Sequence, residues 1–156
     1  MAPELNIEVV PLAEVPFDNS VLTPQKRRRT VLVVDDERVI ADTLSVILSR
    51  SGFSVLTAYN GETALELAHK VTPDLVLSDV MLGLGIDGIR LAIQLVRENP
   101  DCKVLLFSGS AATADLLAGA RNLGHNFTLL AKPVHPADLL TRIAESFTRP
   151  DAPEGN

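Results

Sequence analysis

Five residues with reactive or charged ends stand at or just beyond the ends of short aliphatic runs. Asp35 and Asp36 follow Val31-Leu32-Val33-Val34, Asp79 follows Leu75-Val76-Leu77-Ser78, Ser108 follows Val104-Leu105-Leu106-Phe107, and Lys132 follows Phe127 to Ala131. Three carboxylates brought to one place repel one another unless a cation or a proton relieves them. A magnesium ion would do so, being a hard cation that takes carboxylate, carbonyl and water oxygens in octahedral geometry. With Lys132 it would supply positive charge for a phosphoryl group, and Ser108 could donate a hydrogen bond to one of its oxygens. A carboxylate can itself attack phosphorus to give an acyl phosphate. Asp79 stands alone and suits that role, whereas the paired Asp35 and Asp36 suit a shared metal. Each residue also has an ordinary use: Asp35, Asp36 or Ser108 as a helix cap, and Lys132 as a solvated side chain beside a proline turn.

For these residues to meet, the elements before them must end at one edge. Val31 to Val34 is the continuous apolar run of a strand buried on both faces. A helix follows, with Val39, Ile40, Leu44, Ile47 and Leu48 at spacings of three and four and Ser51-Gly52 as its stop. The alternation continues with a strand over Phe53–Ala58, a helix over Gly61–Lys70 with Leu65 and Ala68 inward, and a strand over Leu75–Leu77. Further helices are expected over Ile89–Glu98, Ala111–Asn122 and His135–Phe147, with strands over Val104–Phe107 and Phe127–Ala131 between them. Such alternation implies an α/β fold in which helices cover both faces of a five-stranded parallel sheet. Open sheets of this kind bind ligands beyond the carboxyl ends of their strands.

The chain has 156 residues, 46% of them hydrophobic, and a net charge of −6. That length suits one domain with tails. Residues 1–29 balance four acids with four bases, residues 30–147 hold fourteen acids against nine bases, and residues 148–156 hold two acids and one base. The acid surplus therefore belongs to the middle segment and argues against nucleic acid as a general partner. Residues 1–29 carry Pro3, Pro11, Pro16 and Pro24 and read as a flexible tail; its basic run Lys26–Arg29 is either a solvated cluster or a contact for an acidic partner or for headgroups. Residues 148–156 are also tail-like. A single cysteine, Cys102, excludes an internal disulfide, and three scattered histidines argue against a Cys/His zinc site. Without a long apolar run or a basic leader, the expectation is a cytoplasmic protein with no membrane span.

Val31 to Glu37, Asp74 to Asp79, Leu106-Phe107-Ser108-Gly109 and Ala131-Lys132-Pro133 together resemble the receiver domain of bacterial two-component response regulators, in order and in spacing, over residues 30–147. The resemblance implies a flavodoxin-like doubly wound sheet of strand order 2-1-3-4-5 with five helices. It implies that Asp79 accepts phosphate from a sensor histidine kinase or phosphotransfer protein. Asp36, Asp79 and the Met81 carbonyl would hold Mg2+, and Asp35 would reach the metal through water. Ser108 and Lys132 would hold the phosphoryl oxygens, and the bond before Pro133 would be cis, an isomer that proline makes accessible. Two departures stand out. Leu82-Gly83 replaces the usual Met-Pro pair, and Gly88 lies nine residues beyond Asp79 where eight is usual, so the loop is one residue longer. Leu129 occupies the place, three residues before the lysine, where relatives carry a switching aromatic.

Gly83-Leu84-Gly85-Ile86-Asp87-Gly88 matches a dinucleotide fingerprint, but Asp79-Val80-Met81-Leu82 separates it from the strand, and Asp79 would repel a pyrophosphate. Haloacid-dehalogenase-like phosphatases use a similar set of residues, yet there the nucleophile precedes the metal-binding acids and a general acid follows it by two. Here the acidic pair comes first, and Met81 at the second position cannot transfer protons. The expectation is a stand-alone phosphorylation-dependent switch, not a dedicated enzyme, that has no DNA-binding domain and signals through protein contacts. The resemblance implies that the fourth helix, fifth strand and fifth helix form its output face, which would also suit a homodimer. The alternative is a receiver-like scaffold that binds partners whatever its phosphorylation state.

Overall fold

The computed structural model describes residues 27–109 and 113–148. Strands β1 (Thr30–Val34), β2 (Ser54–Ala58), β3 (Leu75–Asp79), β4 (Lys103–Ser108) and β5 (Thr128–Ala131) alternate with helices α1 (Arg38–Arg50), α2 (Gly61–Lys70), α3 (Gly88–Glu98), α4 (Thr113–Asn122) and α5 (Pro136–Thr148). All strand pairs are parallel, in the order β2-β1-β3-β4-β5. The tails at residues 1–26 and 149–156, Lys26 of the basic run and the expected helix start at Ala111 lie outside the described residues.

Strand periodicity divides the core into two layers. Val31, Val33, Leu75, Leu77, Leu105 and Phe107 face α1 and α5, where they meet Ala41, Leu48, Leu139 and Ile143. Leu32, Val34 and Val76 face the other way, onto Ala64 and Ala68 of α2 and Leu91 and Leu95 of α3. Leu106 joins Val80, Ile89, Leu117 and Ala120 beneath α3 and α4. With helices on both sides, β1 and β3 need apolar residues at every position, hence their unbroken hydrophobic runs. The edge strand β5 is more exposed, Leu129 included.

One expected core residue is not in the core. Val39 is 79% exposed, while Ala41 and Leu48 are buried with Ile40 and Leu44 packed beside them. At about 100° per residue Val39 lies about 180° around the helix from Leu48, off the stripe that Ile40, Leu44 and Leu48 form at spacings of four.

Side chains fix two helix starts. Asn60 accepts from the Thr63 N–H at 2.7 Å, and Asp87 accepts from the Arg90 N–H at 2.8 Å. His135 Nδ1 accepts from the Ala137 N–H at 3.2 Å and so helps to start α5. At the opposite edge, two arginines of the basic run bind the domain itself. Arg27 contacts both carboxylate oxygens of Asp74 at 2.7 Å, and the Arg29 guanidinium lies 3.9 Å from the Phe147 ring centroid. Cys102 is buried, and burial pushes its thiol up to about 12. His69 pairs with Glu98 at 2.7 Å. Among the described residues no helix is long and apolar enough to cross a membrane.

Gly88 opens α3 against the backbone of β3. Its N–H donates to the Val80 carbonyl at 2.8 Å, and a Cβ there would overlap the Asp79 carbonyl oxygen. That neighbour is backbone and cannot swing aside. Gly88→Ala is therefore expected to lower stability by about 1–3 kcal/mol, the usual cost of overpacking. Urea denaturation checks this, with a lower midpoint and an unchanged slope as the expected result.

Candidate functional site

The strand ends deliver the charged residues to one edge. Asp35 follows β1, and Asp79 is the last residue of β3, one step further into the sheet than the end of the apolar run suggests. One carboxylate oxygen each from Asp35, Asp36 and Asp79 lies within 4.8 Å of the others. Asp35 is fully buried and Asp79 nearly so, whereas Asp36 is exposed. Lys132, beyond β5, reaches into this group. Its Nζ donates to Asp79 Oδ2 at 2.8 Å and to Asp35 Oδ2 at 3.2 Å, and it sits 4.8 Å from the Phe107 ring centroid.

The remaining oxygens of the two buried carboxylates are also engaged. Asp35 Oδ1 accepts from the Glu37 N–H at 2.9 Å, and Asp79 Oδ1 accepts from the Met81 N–H at 3.1 Å. Asp35 therefore does not cap α1 by the usual route; Glu37 is the N-cap residue, and its side chain makes no capping bond. Burial holds the Asp35 carboxyl above the ordinary carboxylate value, against the opposing pull of the Glu37 N–H and Lys132. Burial alone would lower the Lys132 ammonium, but its hydrogen bond to Asp79 and the charges of Asp79 and Asp35 outweigh that and raise it.

Three carboxylates and one ammonium leave a formal surplus of two negative charges. The donors are all hard oxygens, gathered closely enough to share one small ion. The residues thus fit a hard divalent cation. The longer loop after β3 closes on the same place. Gly83 and Gly85 have positive φ, and a Cβ on Gly83 would lie 3.3 Å from Asp36 Oδ2. Glu62 of α2 accepts from the Ile86 N–H at 3.1 Å and pins the far end of the loop, leaving Leu84 97% exposed between the two glycines.

Ser108 ends β4 opposite Ala131, and its main-chain carbonyl accepts from the Lys132 N–H at 3.0 Å. Its hydroxyl is 2.6 Å from that of Thr113, a buried residue at the start of α4. Sequence reasoning missed Thr113, and it missed Glu62 as the anchor of the loop. The Lys132–Pro133 bond is cis.

The profile of the response regulator receiver domain matches residues 31–144. The chain belongs to that family. A curated relative, the probable transcriptional regulatory protein TcrX of Mycobacterium tuberculosis, is 36% identical over 120 residues, which cover 77% of this chain and 50% of the relative. The chain thus spans about half the length of that relative. Among solved structures, a CheY-like receiver domain protein from Methanospirillum hungatei is 28% identical with a TM-score of 0.69, covering 76% of this chain and 93% of that one. The signal receiver domain of an HD domain-containing protein from Pseudomonas fluorescens is 29% identical with a TM-score of 0.71, covering 78% and 95% respectively. The fold is the CheY-like, flavodoxin-like receiver architecture expected from the sequence, and the receiver family is one of signalling domains of two-component response regulators.

Lys132→Met tests the electrostatics of the receiver's acidic cluster. It leaves two adjacent carboxylates without their cation, a loss expected near the lower end of the about 3–5 kcal/mol typical of breaking a buried pair, since the lysine is partly exposed. Asp35, whose carboxyl burial already holds above the ordinary value, weakens the fold in its ionised form. That cost is absent below the unfolded-state value and develops as pH rises through the folded-state one. The deficit of the variant in metal-free buffer should therefore be largest near neutrality and shrink on acidification into the carboxylate range, as read by urea denaturation across pH.

Proposed function

We propose that this receiver domain is a phosphorylation-dependent switch in which Asp79 accepts a phosphoryl group from a sensor histidine kinase or a phosphotransfer protein. The observation that carries the reading is Lys132 Nζ bound to both Asp79 and Asp35 inside a cluster of three carboxylates. An Asp79 carboxylate oxygen attacks phosphorus, an acyl phosphate bond forms, and the phosphorus–nitrogen bond of the donor phosphohistidine breaks. Mg2+, when bound, neutralises charge on the transferring group. Asp36, Asp79 and the Met81 carbonyl would hold it directly and Asp35 through water. Lys132 and Ser108 bind the phosphoryl oxygens, so the chain contributes positioning and charge compensation rather than proton transfer. This is self-modification with a donor, not the work of a dedicated enzyme.

The surfaces around the site suit such an exchange. Val39 at the start of α1, Met81 and Leu84 beyond β3 are apolar and exposed, and a docking partner would bury them. The signal leaves by protein contacts, through the face made of α4, β5 and α5. A groove of about 450 Å³ between β5 and α5, with Leu130, Val134, Asp138 and Arg142 in its walls, supports that choice. A homodimer would use the same face.

Acetyl phosphate with magnesium should add the mass of one phosphoryl group to the wild type and none to Asp79→Asn, and a chelator should abolish the labelling. If neither protein is labelled by small donors or by kinases, the chain is a receiver-like scaffold instead. Met81, two residues beyond Asp79, offers no acid or base to orient an attacking water. The acyl phosphate is accordingly expected to last minutes or longer after the donor is removed, and loss within seconds by intact-mass measurement would contradict that role for Met81.

A further inference from the structure

The hydroxyls of Ser108 and Thr113 lie 2.6 Å apart in a buried position, one at the end of β4 and the other on the first residue of α4. Thr113 has almost no exposure, and its helix rests on the same core cluster as Val80, which follows Asp79, and Leu106, which pairs with Ser78. Between Thr128 and Ala131, β5 carries no aromatic ring, and Leu129 there has no polar group to answer a change at Ser108. The hydroxyl pair is therefore a direct polar link from the phosphoryl-binding residue to a helix of the output face.

Each hydroxyl has one hydrogen to give. With no phosphoryl group at Asp79, either oxygen of the pair can be the donor. A phosphoryl oxygen that accepts from Ser108 takes that residue's only hydrogen, so Ser108 can then only accept from Thr113. If Ser108 must rotate to reach the phosphoryl oxygen, the bond to Thr113 breaks and a buried hydroxyl has to find another partner, which displaces the start of α4. On either course Thr113 registers the state of Ser108.

We infer that Thr113 is a positioning residue that transmits phosphorylation from Ser108 to α4 through this hydroxyl pair. The inference rests on the phosphoacceptor reading of Asp79 and deepens it. Thr113→Val keeps the shape and removes the hydroxyl, whereas Thr113→Ser keeps the hydroxyl. The full chain and both variants would be compared with and without magnesium and beryllium fluoride, reading amide hydrogen exchange across residues 113–122, alongside acetyl phosphate labelling of Asp79.

The wild type is expected to change exchange in α4 by at least about fivefold, the lower end of ordinary site-to-site coupling. Thr113→Val should still be labelled at Asp79 but lose that change, and Thr113→Ser should regain it. A threonine that merely starts the helix would alter stability and leave the response intact. An unaltered response in Thr113→Val, or a lost one in Thr113→Ser, overturns the inference while labelling of Asp79 upholds the phosphoacceptor. Absence of labelling in the wild type overturns both. Should Thr113→Val not fold, side-chain carbon and methyl resonances of Thr113 in the wild type decide: a shift on adding beryllium fluoride supports the link, and unmoved resonances refute it.

Discussion

The Lys132 ammonium, 2.8 Å from Asp79 and 3.2 Å from Asp35, joins the ends of three strands that are far apart in the chain. In the order β2-β1-β3-β4-β5, the strand that precedes the lysine is separated from β3 by the whole width of β4. A side chain bridging that gap must be long, and it must pass over the end of β4 without leaving its charge stranded. Lysine has the four-carbon stem for this, and Phe107, paired with Asp79 across the ladder, presents its ring face beneath the ammonium. Without the cation, two largely buried carboxylates would share one edge, so the cation and the carboxylates account for one another.

That bridge also constrains the loop after β3. Asp79 uses one oxygen for Lys132 and the other for the Met81 N–H, which sets the direction in which the chain leaves the strand. Nine residues later Gly88 must come back against the Asp79 carbonyl, close enough to exclude any side chain. The intervening segment has one residue more than is usual in the family, and two left-handed glycines absorb it. The loop is nevertheless held at both ends, by Gly88 on Val80 and by Glu62 on Ile86, so its extra length is spent on exposing Leu84 rather than on loosening the site.

Much of this was legible in the sequence because parallel strands buried on both faces leave unbroken apolar runs, and the residues that follow them fall on one edge whatever the helices do. The cluster of Asp35, Asp36, Asp79 and Lys132 follows from that rule with the strand order. Val39 was misplaced because it adjoins Ile40 in an apolar pair, whereas the spacing of four that runs through Ile40, Leu44 and Leu48 leaves it out. Glu62 and Thr113 were not legible for a different reason. Each acts through one hydrogen bond set by how a loop or a helix start is docked, and neither residue type is unusual at its position. Arg27 on Asp74 is the same kind of case: a pair 47 residues apart gives no local signal.

The charge arithmetic of the pocket limits how a switch built on it can work. Three carboxylates with one lysine carry a formal −2, and a divalent cation brings the sum to zero. On the proposed reading, Asp79 exchanges a single negative charge for a phosphoryl group of about −1.5 to −2, so the local charge changes by only about one unit. At the effective dielectric of about 20 that suits charges in and near a protein, a unit charge acts on another 10 Å away with about 1.7 kcal/mol, less where salt reaches it. A field of that size is no larger than one hydrogen bond to a charged group, and it falls off smoothly without selecting one arrangement of α4 or α5. What phosphorylation adds in strength is a set of oxygen acceptors placed within reach of Lys132 and Ser108, where hydrogen bonds to charged groups are worth about 1.5–3 kcal/mol. On that reading a rearrangement of hydrogen-bond partners at the ends of β4 and β5 carries the signal alongside the charge, and its reach is set by which buried polar groups those two residues already touch.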